Sequence, residues 1–247
     1  MVMLILVSGE GVTDMGRCLV ADSCCGDEFE AGPMAWLVDQ VVEAALEYAL
    51  LPLGLMYFVS KARLSAVSKA RRTVTLVGKK RPLETGYFYF NARAMAHLAK
   101  ELATDMDDEV VAVLFRDADR TQSTAEVEWH NKRESMLNGF AYEGFDKGVP
   151  MVPNPKSEAW LLCALKKQQP YQHCDGIELA SGNDRAPNSL KAQLAAALGE
   201  EPSAAALADL VRTGAVDASR IDMTSFNAFK TRLEDCLCPW KNMAAGG

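Results

Sequence analysis

The sequence predicts an α/β fold in which a mostly parallel sheet is flanked by helices and followed by a small helical extension. Short apolar runs alternate along the chain with segments of helical spacing, the pattern of a parallel sheet covered by helices. After about residue 172 the apolar runs stop and three helical patterns follow. We therefore expect an α/β domain over residues 1–172 and a helical extension over residues 173–247 that packs on it.

Each predicted strand is a short apolar run bounded by turn signals. The predicted strands are residues 3–8 (MLILVS), 55–60 (LMYFVS), 73–78 (TVTLVG), 110–115 (VVAVLF) and 148–153 (GVPMVP). The run at 110–115 is the most strand-like in the chain, and two aspartates follow it closely.

The predicted helices are segments whose apolar residues recur at helical spacing. They are residues 33–50, 91–104, 123–139, 156–167, 189–199, 203–214 and 225–237. We expect Asn91 to cap the second helix, and Asn154 with Pro155 to begin the fourth. Residues 16–32 carry no pattern that places them.

Composition is that of an ordinary globular protein, with 49% hydrophobic and 24% charged residues. The first eleven residues, MVMLILVSGEG, lack the basic start and cleavage site of a signal peptide. The most apolar window, residues 41–60, contains Glu43, Glu47 and Pro52, so it is unsuited to crossing a membrane. We expect a cytoplasmic protein with no membrane partner.

The seven cysteines show no C-x-x-C spacing, and reduced thiols are the expectation for a cytosolic protein. One alternative stays open on spacing alone. It is a metal site formed by Cys18, Cys24, Cys25, His173 and Cys174.

Charge is unevenly distributed along the chain, whose net charge is −7. Residues 61–93 contain nine basic residues and one acid, a net charge of +8, which leaves 17 basic and 32 acidic residues elsewhere. This segment is either a solvated face or a strip that contacts phosphates. The aromatic stretch GYFYFN at 86–91 within it either stacks on bases or fills the core.

Acidic residues follow two of the predicted strands. Glu10 comes after residues 3–8, and Asp117 and Asp119 come after residues 110–115. Ligands of parallel α/β sheets gather at the carboxyl ends of the strands. If the chain stays extended, Asp117 and Asp119 project to the same side and repel unless a cation such as Mg²⁺ lies between them. The alternative is an ordinary loop in which Arg116 and Arg120 pair with the aspartates.

Three short motifs resemble the Toprim domain of topoisomerases, primases and OLD-type nucleases. They are SGEGVTD (8–14), FRDADRT (115–121) and PNPKSEAWLL (153–162). The small stand-alone Toprim proteins of the RloB-like kind, found in bacterial defence loci, are more similar still, and SFNAFKTRL in the tail also resembles the end of these proteins.

The resemblance implies a Toprim-like core and roles for individual acids. Glu10 matches the Toprim glutamate, a general acid/base or metal ligand, and Asp117 and Asp119 match the metal-binding pair. Glu158 matches a further acid of the site, although a glutamate at this helical position also favours the helix dipole. Asp14 stands where relatives often have glutamate, or is a first-turn helix acid.

The function expected from this resemblance is hydrolysis of DNA or RNA phosphodiesters with Mg²⁺, or Mn²⁺ in its place. One or two ions on Glu10, Asp117 and Asp119 would polarise the phosphate and orient hydroxide. Five basic residues are expected to contact nucleic acid, and pairing with a neighbouring acid is the alternative for Arg116 and Arg120. The five residues are Lys79, Lys80, Arg81, Arg116 and Arg120. The resemblance also implies an anti-phage role with an ABC-type or AAA-type ATPase partner, and it leaves homo-oligomerisation open.

Two alternative functions stay open at the level of the sequence. LFRDADRT also satisfies the D-x-D-x-T motif of haloacid-dehalogenase-type phosphatases, with Asp117 as nucleophile and Asp119 as general acid. That motif normally opens its fold, whereas more than a hundred residues precede it here. The other alternative is a catalytically silent Toprim-like module that binds a partner protein.

Overall fold

A computed structural model describes residues 2–71, 83–119 and 125–244, and it confirms an α/β fold with a mostly parallel sheet. Seven strands lie within these described ranges, namely β1 (Met3–Ser8), β2 (Gly16–Cys18), β3 (Ser23–Cys25), β4 (Phe29–Ala31), β5 (Met56–Val59), β6 (Glu109–Phe115) and β7 (Gly148–Met151). Five of them form one sheet in the order β3-β5-β1-β6-β7, in which only β3 is antiparallel to its neighbour. β2 and β4 form a separate antiparallel pair.

Nine α-helices lie within the described part of the chain. They are α1 (Pro33–Leu46), α2 (Lys61–Ala70), α3 (Leu83–Met106), α4 (Ala125–Tyr142), α5 (Ser157–Leu165), α6 (Asp175–Glu178), α7 (Leu190–Leu198), α8 (Ala204–Arg212) and α9 (Thr224–Ala244). Ser189 and Ser203 cap α7 and α8 through their hydroxyls, as the sequence predicts. No described helix has the length and apolarity needed to cross a membrane.

The two central strands, β1 and β6, are buried on both faces, so alternate residues supply two separate cores. Ile5 and Val113 pack in a core with α1, α5 and the C-terminal helices. Leu6 and Ala112 pack in a second core with α2, α3 and α4. This alternation decides which side chains leave the sheet together at its carboxyl edge.

The C-terminal helices pack against the first core. Trp160 of α5 contacts the rings of Phe226 and Phe229 of α9 at 5.0 and 5.8 Å, and its indole N–H donates to Ser225 Oγ at 2.8 Å. The amide of Gln40 in α1 donates to two backbone carbonyls of the segment that contains α8. Helices beyond residue 172 therefore share a core with the sheet.

Several local predictions are corrected by the structure. α3 begins at Leu83, so Asn91 lies inside the helix, and residues 86–91 are helical with Phe88 and Tyr89 buried in the core. α5 begins at Ser157 after a cis peptide bond between Asn154 and Pro155, because the chain at Lys156 is still extended. The predicted strand at 73–78 lies outside the described residues.

The cysteines also differ from expectation. Cys18 pairs with Cys24 and Cys163 with Cys174, because the β2–β3 segment and the chain after α5 bring their Cα atoms to 5.7 and 5.4 Å. Reduced thiols are therefore the wrong expectation for these four residues. The alternative metal site loses three of its thiols, since a disulfide sulfur is not a thiolate ligand.

Candidate functional site

The chain beyond β6 stays extended long enough to send neighbouring side chains to opposite faces of the sheet. The backbone N–H groups of Arg116 and Ala118 donate to Met151 and Pro153 at 3.0 and 3.1 Å, which continues the parallel pairing with β7. Ala118 is buried in the second core with Leu114. Asp117, between two residues that face the second core, therefore faces the first.

The loop after β1 brings Asp14 to the same face as Asp117. Asp14 accepts a hydrogen bond from Met34 N–H through its backbone carbonyl at 2.9 Å, which fixes the loop on the start of α1. A Cβ atom at Gly32 would lie 2.3 Å from that carbonyl, so only glycine allows this approach. Ser157 then joins the two acids, donating its hydroxyl to Asp14 at 2.6 Å and its N–H to Asp117 at 2.9 Å.

Three neighbouring parallel strands thus each deliver an acid to one cavity of about 320 Å³. We call it the acidic cavity, and its polar lining includes Asp14, Asp117, Lys156, Ser157, Glu158 and Asp184. Asp14 follows β1, Asp117 follows β6, and Glu158 lies in the first turn of the helix after β7. The position fits the rule that ligands of such sheets bind at the carboxyl ends of the strands.

Three of the acids that line the cavity, Asp14, Asp117 and Glu158, have raised pKa values. Burial, followed by the negative charges of Asp14, Glu158 and Asp119, holds the pKa of Asp117 well above its usual range. Burial likewise raises the pKa of Asp14 and the pKa of Glu158. Oε2 of Glu158 is buried and has no hydrogen-bond partner among the described residues. A cation placed among these carboxylates would favour their charged forms and so oppose all three shifts.

Lys156 borders the acidic cavity on its outer side. Its Nζ lies 2.9 Å from Asp184 Oδ2 and 3.4 Å from Asp119 Oδ1, and both of those carboxylates are about half exposed. Burial opposes the charge of Lys156, yet the hydrogen bond to Asp184 and the charge of Asp119 hold its pKa above the usual range. Lys156 is therefore an ammonium group that donates hydrogen bonds and cannot serve as a base at neutral pH.

Asp119 does not line the cavity with Asp117. Its φ is 47°, in the left-handed region, so the extended alternation that places Asp117 ends before Asp119. The two carboxylates still influence each other electrostatically, because the charge of Asp119 raises the pKa of Asp117. The two aspartates therefore interact through their charges, but they do not project into one cavity as expected.

Glu10 lies in a different cluster. Its carboxylate forms an ion pair of 3.0 Å with Arg116, whose guanidinium stacks 3.8 Å from the centre of the Tyr87 ring and 4.9 Å from that of Phe88. We call this group the Glu10–Arg116 cluster. It lines a separate small cavity with Lys61. Asp14, and not Glu10, therefore shares the hydrogen-bond partner Ser157 with Asp117.

The other predicted nucleic-acid contacts cannot be placed in the site, and three residues that line or border the acidic cavity were not predicted. Lys79, Lys80, Arg81 and Arg120 lie outside the described residues. Sequence reasoning missed Ser157, Lys156 and Asp184 as parts of the site. The first two stand inside the PNPKSEAWLL motif, beside Glu158, whereas Asp184 lies in an irregular segment that carried no signal.

The lining of the acidic cavity fits a hard divalent cation by ligand type. Carboxylate oxygens are the donors that Mg²⁺ prefers, and Glu158 Oε2 is a buried oxygen without a partner among the described residues. As they stand, no three His, Cys, Asp or Glu side chains in the described ranges are grouped closely enough to hold a metal ion. Binding would therefore require the carboxylates to draw together, which their mutual repulsion now opposes.

Comparisons with known proteins add no relative to this description. No protein-family model, curated protein or solved structure matches the chain.

Proposed function

We propose that the protein is a Mg²⁺-dependent nuclease that hydrolyses DNA or RNA phosphodiesters at the acidic cavity, with Mn²⁺ as a substitute ion. The observation that carries the proposal is the meeting of Asp14, Asp117 and Glu158, from three neighbouring strands, in one cavity where each has a raised pKa. Perturbed acids in a cleft are typical of sites that bind cations or transfer protons. The resemblance of the three motifs to Toprim proteins supports the choice of nucleic acid as substrate.

In this proposal each residue has a defined part. Asp14, Asp117 and Glu158 hold the ion, which when bound polarises the phosphate and lowers the pKa of a bound water. Ser157 positions Asp14 and Asp117 through its two hydrogen bonds. Asp119 stays at the rim beside Lys156. Arg116 contacts the nucleic acid next to the cavity, on the other side of the strand that ends in Asp117, and Glu10 holds the Arg116 guanidinium through their ion pair.

The biological setting is proposed from the resemblance alone. A Toprim-like protein of the RloB-like kind would act in the bacterial cytoplasm, in anti-phage defence, with an ABC-type or AAA-type ATPase that licenses cleavage. Lys79, Lys80, Arg81 and Arg120 would contribute phosphate contacts.

The proposal is tested by cleavage of plasmid DNA, single-stranded DNA and tRNA with Mg²⁺, Mn²⁺ or EDTA. We expect cleavage that requires the ion and is lost in Asp117→Asn, in which the amide oxygen still accepts from Ser157 N–H. Asp105→Asn, an exposed aspartate outside the cavity, is the matched control. Cleavage that persists in Asp117→Asn would place the reaction elsewhere.

Two results of the same assay would favour the alternatives. Accumulation of an aspartyl-phosphate on Asp117 with a small phosphoester would favour the phosphatase. Binding of Mg²⁺ without cleavage, with or without an added ATPase, would favour the silent module.

A further inference from the structure

Lys156 lines the acidic cavity together with three partly buried acids. Its side chain is only 14% exposed, whereas those of its two partners, Asp119 and Asp184, are 53% and 56% exposed. The ammonium group is thus held from the outside by two carboxylates that water already screens. The partly buried Asp14, Asp117 and Glu158 line the same cavity.

The ion pairs of Lys156 are of the kind that a stronger anion can replace. An ion pair with a half-exposed carboxylate contributes little to stability, because solvent screens the charges. A phosphate presents several oxygens and binds an ammonium through charge-assisted hydrogen bonds. A phosphodiester at the acidic cavity would therefore compete well with Asp184 for Lys156.

The second lysine of the cavity has different surroundings and provides a comparison. Lys191 is 57% exposed and pairs at 2.9 Å with Glu201, which is 68% exposed. Its ammonium group thus forms an ion pair at the surface. Among the described residues it forms no ion pair with Asp119 or Asp184. Of the two lysines, Lys156 is therefore the one that we expect to bind an anion in the acidic cavity.

We propose that Lys156 binds a non-bridging oxygen of the substrate phosphate and that Asp184 holds it in the free protein until the nucleic acid arrives. The proposal rests on the proposed function, which it extends by naming a phosphate-binding residue and its competing partner. Arg116 would bind the flanking backbone, whereas Lys156 would bind the phosphate at the acidic cavity.

The test uses binding of labelled oligonucleotides, one single-stranded DNA and one RNA, measured by fluorescence anisotropy in Ca²⁺ at several salt concentrations. Lys156→Met is expected to raise Kd about 10-fold or more and to reduce the salt slope by about one. Lys156→Arg should restore most of the affinity. Lys167→Met, at an exposed lysine outside the acidic cavity, is the matched control and should change Kd less than two-fold or so.

Asp184→Asn separates phosphate binding from a structural role. It removes the competitor but leaves Lys156 in place, so we expect Kd to fall about two- to five-fold. If Lys156 only stabilised the fold through its ion pair, Asp184→Asn would weaken binding as Lys156→Met does, and that result would overturn the proposal. Unchanged Kd in folded Lys156→Met would also overturn it.

Failure of this proposal is distinguishable from failure of the proposed function. If cleavage depends on Asp117 while Lys156→Met binds and cuts like the wild type, the nuclease stands and the role of Lys156 falls. If the wild type binds neither oligonucleotide and cuts no substrate, both proposals fall together.

Discussion

The acidic cavity and the Glu10–Arg116 cluster lie on opposite faces of one strand end. In the cluster the negative charge is paired with a cation, whereas in the cavity several acids lie close together. Glu10 is neutralised by Arg116, whose guanidinium is in turn stacked on Tyr87. Asp117, one residue along from Arg116, is partly buried beside further acids and has a raised pKa. A single step along an extended chain separates the two environments.

The difference indicates which face is built for a ligand. A paired, stacked ion pair is complete without any other group, so it is explained by stability and local order. Partly buried acids that lie close together lower the stability of the folded state, and local conflicts of this kind are expected mainly at functional sites. Of the two groups, the acidic cavity is therefore the better candidate for a functional site.

The largest expected effect is on cleavage by variants of the acidic cavity. Asp117→Asn, Asp14→Asn and Glu158→Gln should each lower kcat about 100-fold or more, because each removes a charge that would hold the ion. Initial rates on the best substrate from the cleavage assay measure this. Retention of more than about a tenth of the activity by all three variants would remove the cavity from the mechanism.

Glu10→Gln should have a smaller effect, about 10-fold, because the charge of Glu10 is already balanced by Arg116. The comparison with Asp117→Asn in the same assay tests the asymmetry between the two faces. Arg116→Met is its companion, since it releases Glu10 from the ion pair. A loss as severe as that of Asp117→Asn in Glu10→Gln would show that Glu10 joins the acidic cavity during the reaction, as the Toprim resemblance implies.

The sequence predicted the sheet better than the site because the two depend on different information. Buried strands such as 3–8 and 110–115 are marked by their own apolar residues, and both were found almost to the residue. Which acids meet depends on the backbone between the motifs. The left-handed residue Asp119 and the turn that places Asp14, not Glu10, beside Ser157 are tertiary features with no local signal.

The least predictable region was 16–32, for a similar reason. Its strands β2, β3 and β4 have three residues each, too few for a hydrophobic period to emerge. The Cys18–Cys24 disulfide within it follows from the way the segment folds back along β5. Composition favoured reduced thiols, and spacing could not choose a pairing.

Binding of Mg²⁺ should stabilise the wild type and not Asp117→Asn. A ligand present at 100 times its Kd adds about 2.7 kcal/mol, which for a chain of this size raises Tm by roughly 5–10 °C. Thermal unfolding with a series of MgCl₂ concentrations measures the shift, and Asp105→Asn should behave as the wild type. An equal Mg²⁺-dependent shift in Asp117→Asn would mean that the ion binds elsewhere.

The smallest expected effect is on stability without metal, and its sign is opposite to that of a typical core substitution. Because the pKa of Asp117 is raised in the folded state, the folded protein binds more protons than the unfolded chain between the two pKa values. The contribution of Asp117 is thus complete below the unfolded pKa, near 3.9, and declines as pH rises through the folded pKa. Asp117→Asn cannot lose a proton, so in EDTA its Tm should exceed that of the wild type at pH 7 by about 2–4 °C and approach or fall below it in acid.

Denaturation across pH 4–8 measures the difference, with Asp105→Asn as control. A wild type that is the more stable at pH 7 would show that the acids of the cavity are already compensated, and the contrast between the two faces would disappear.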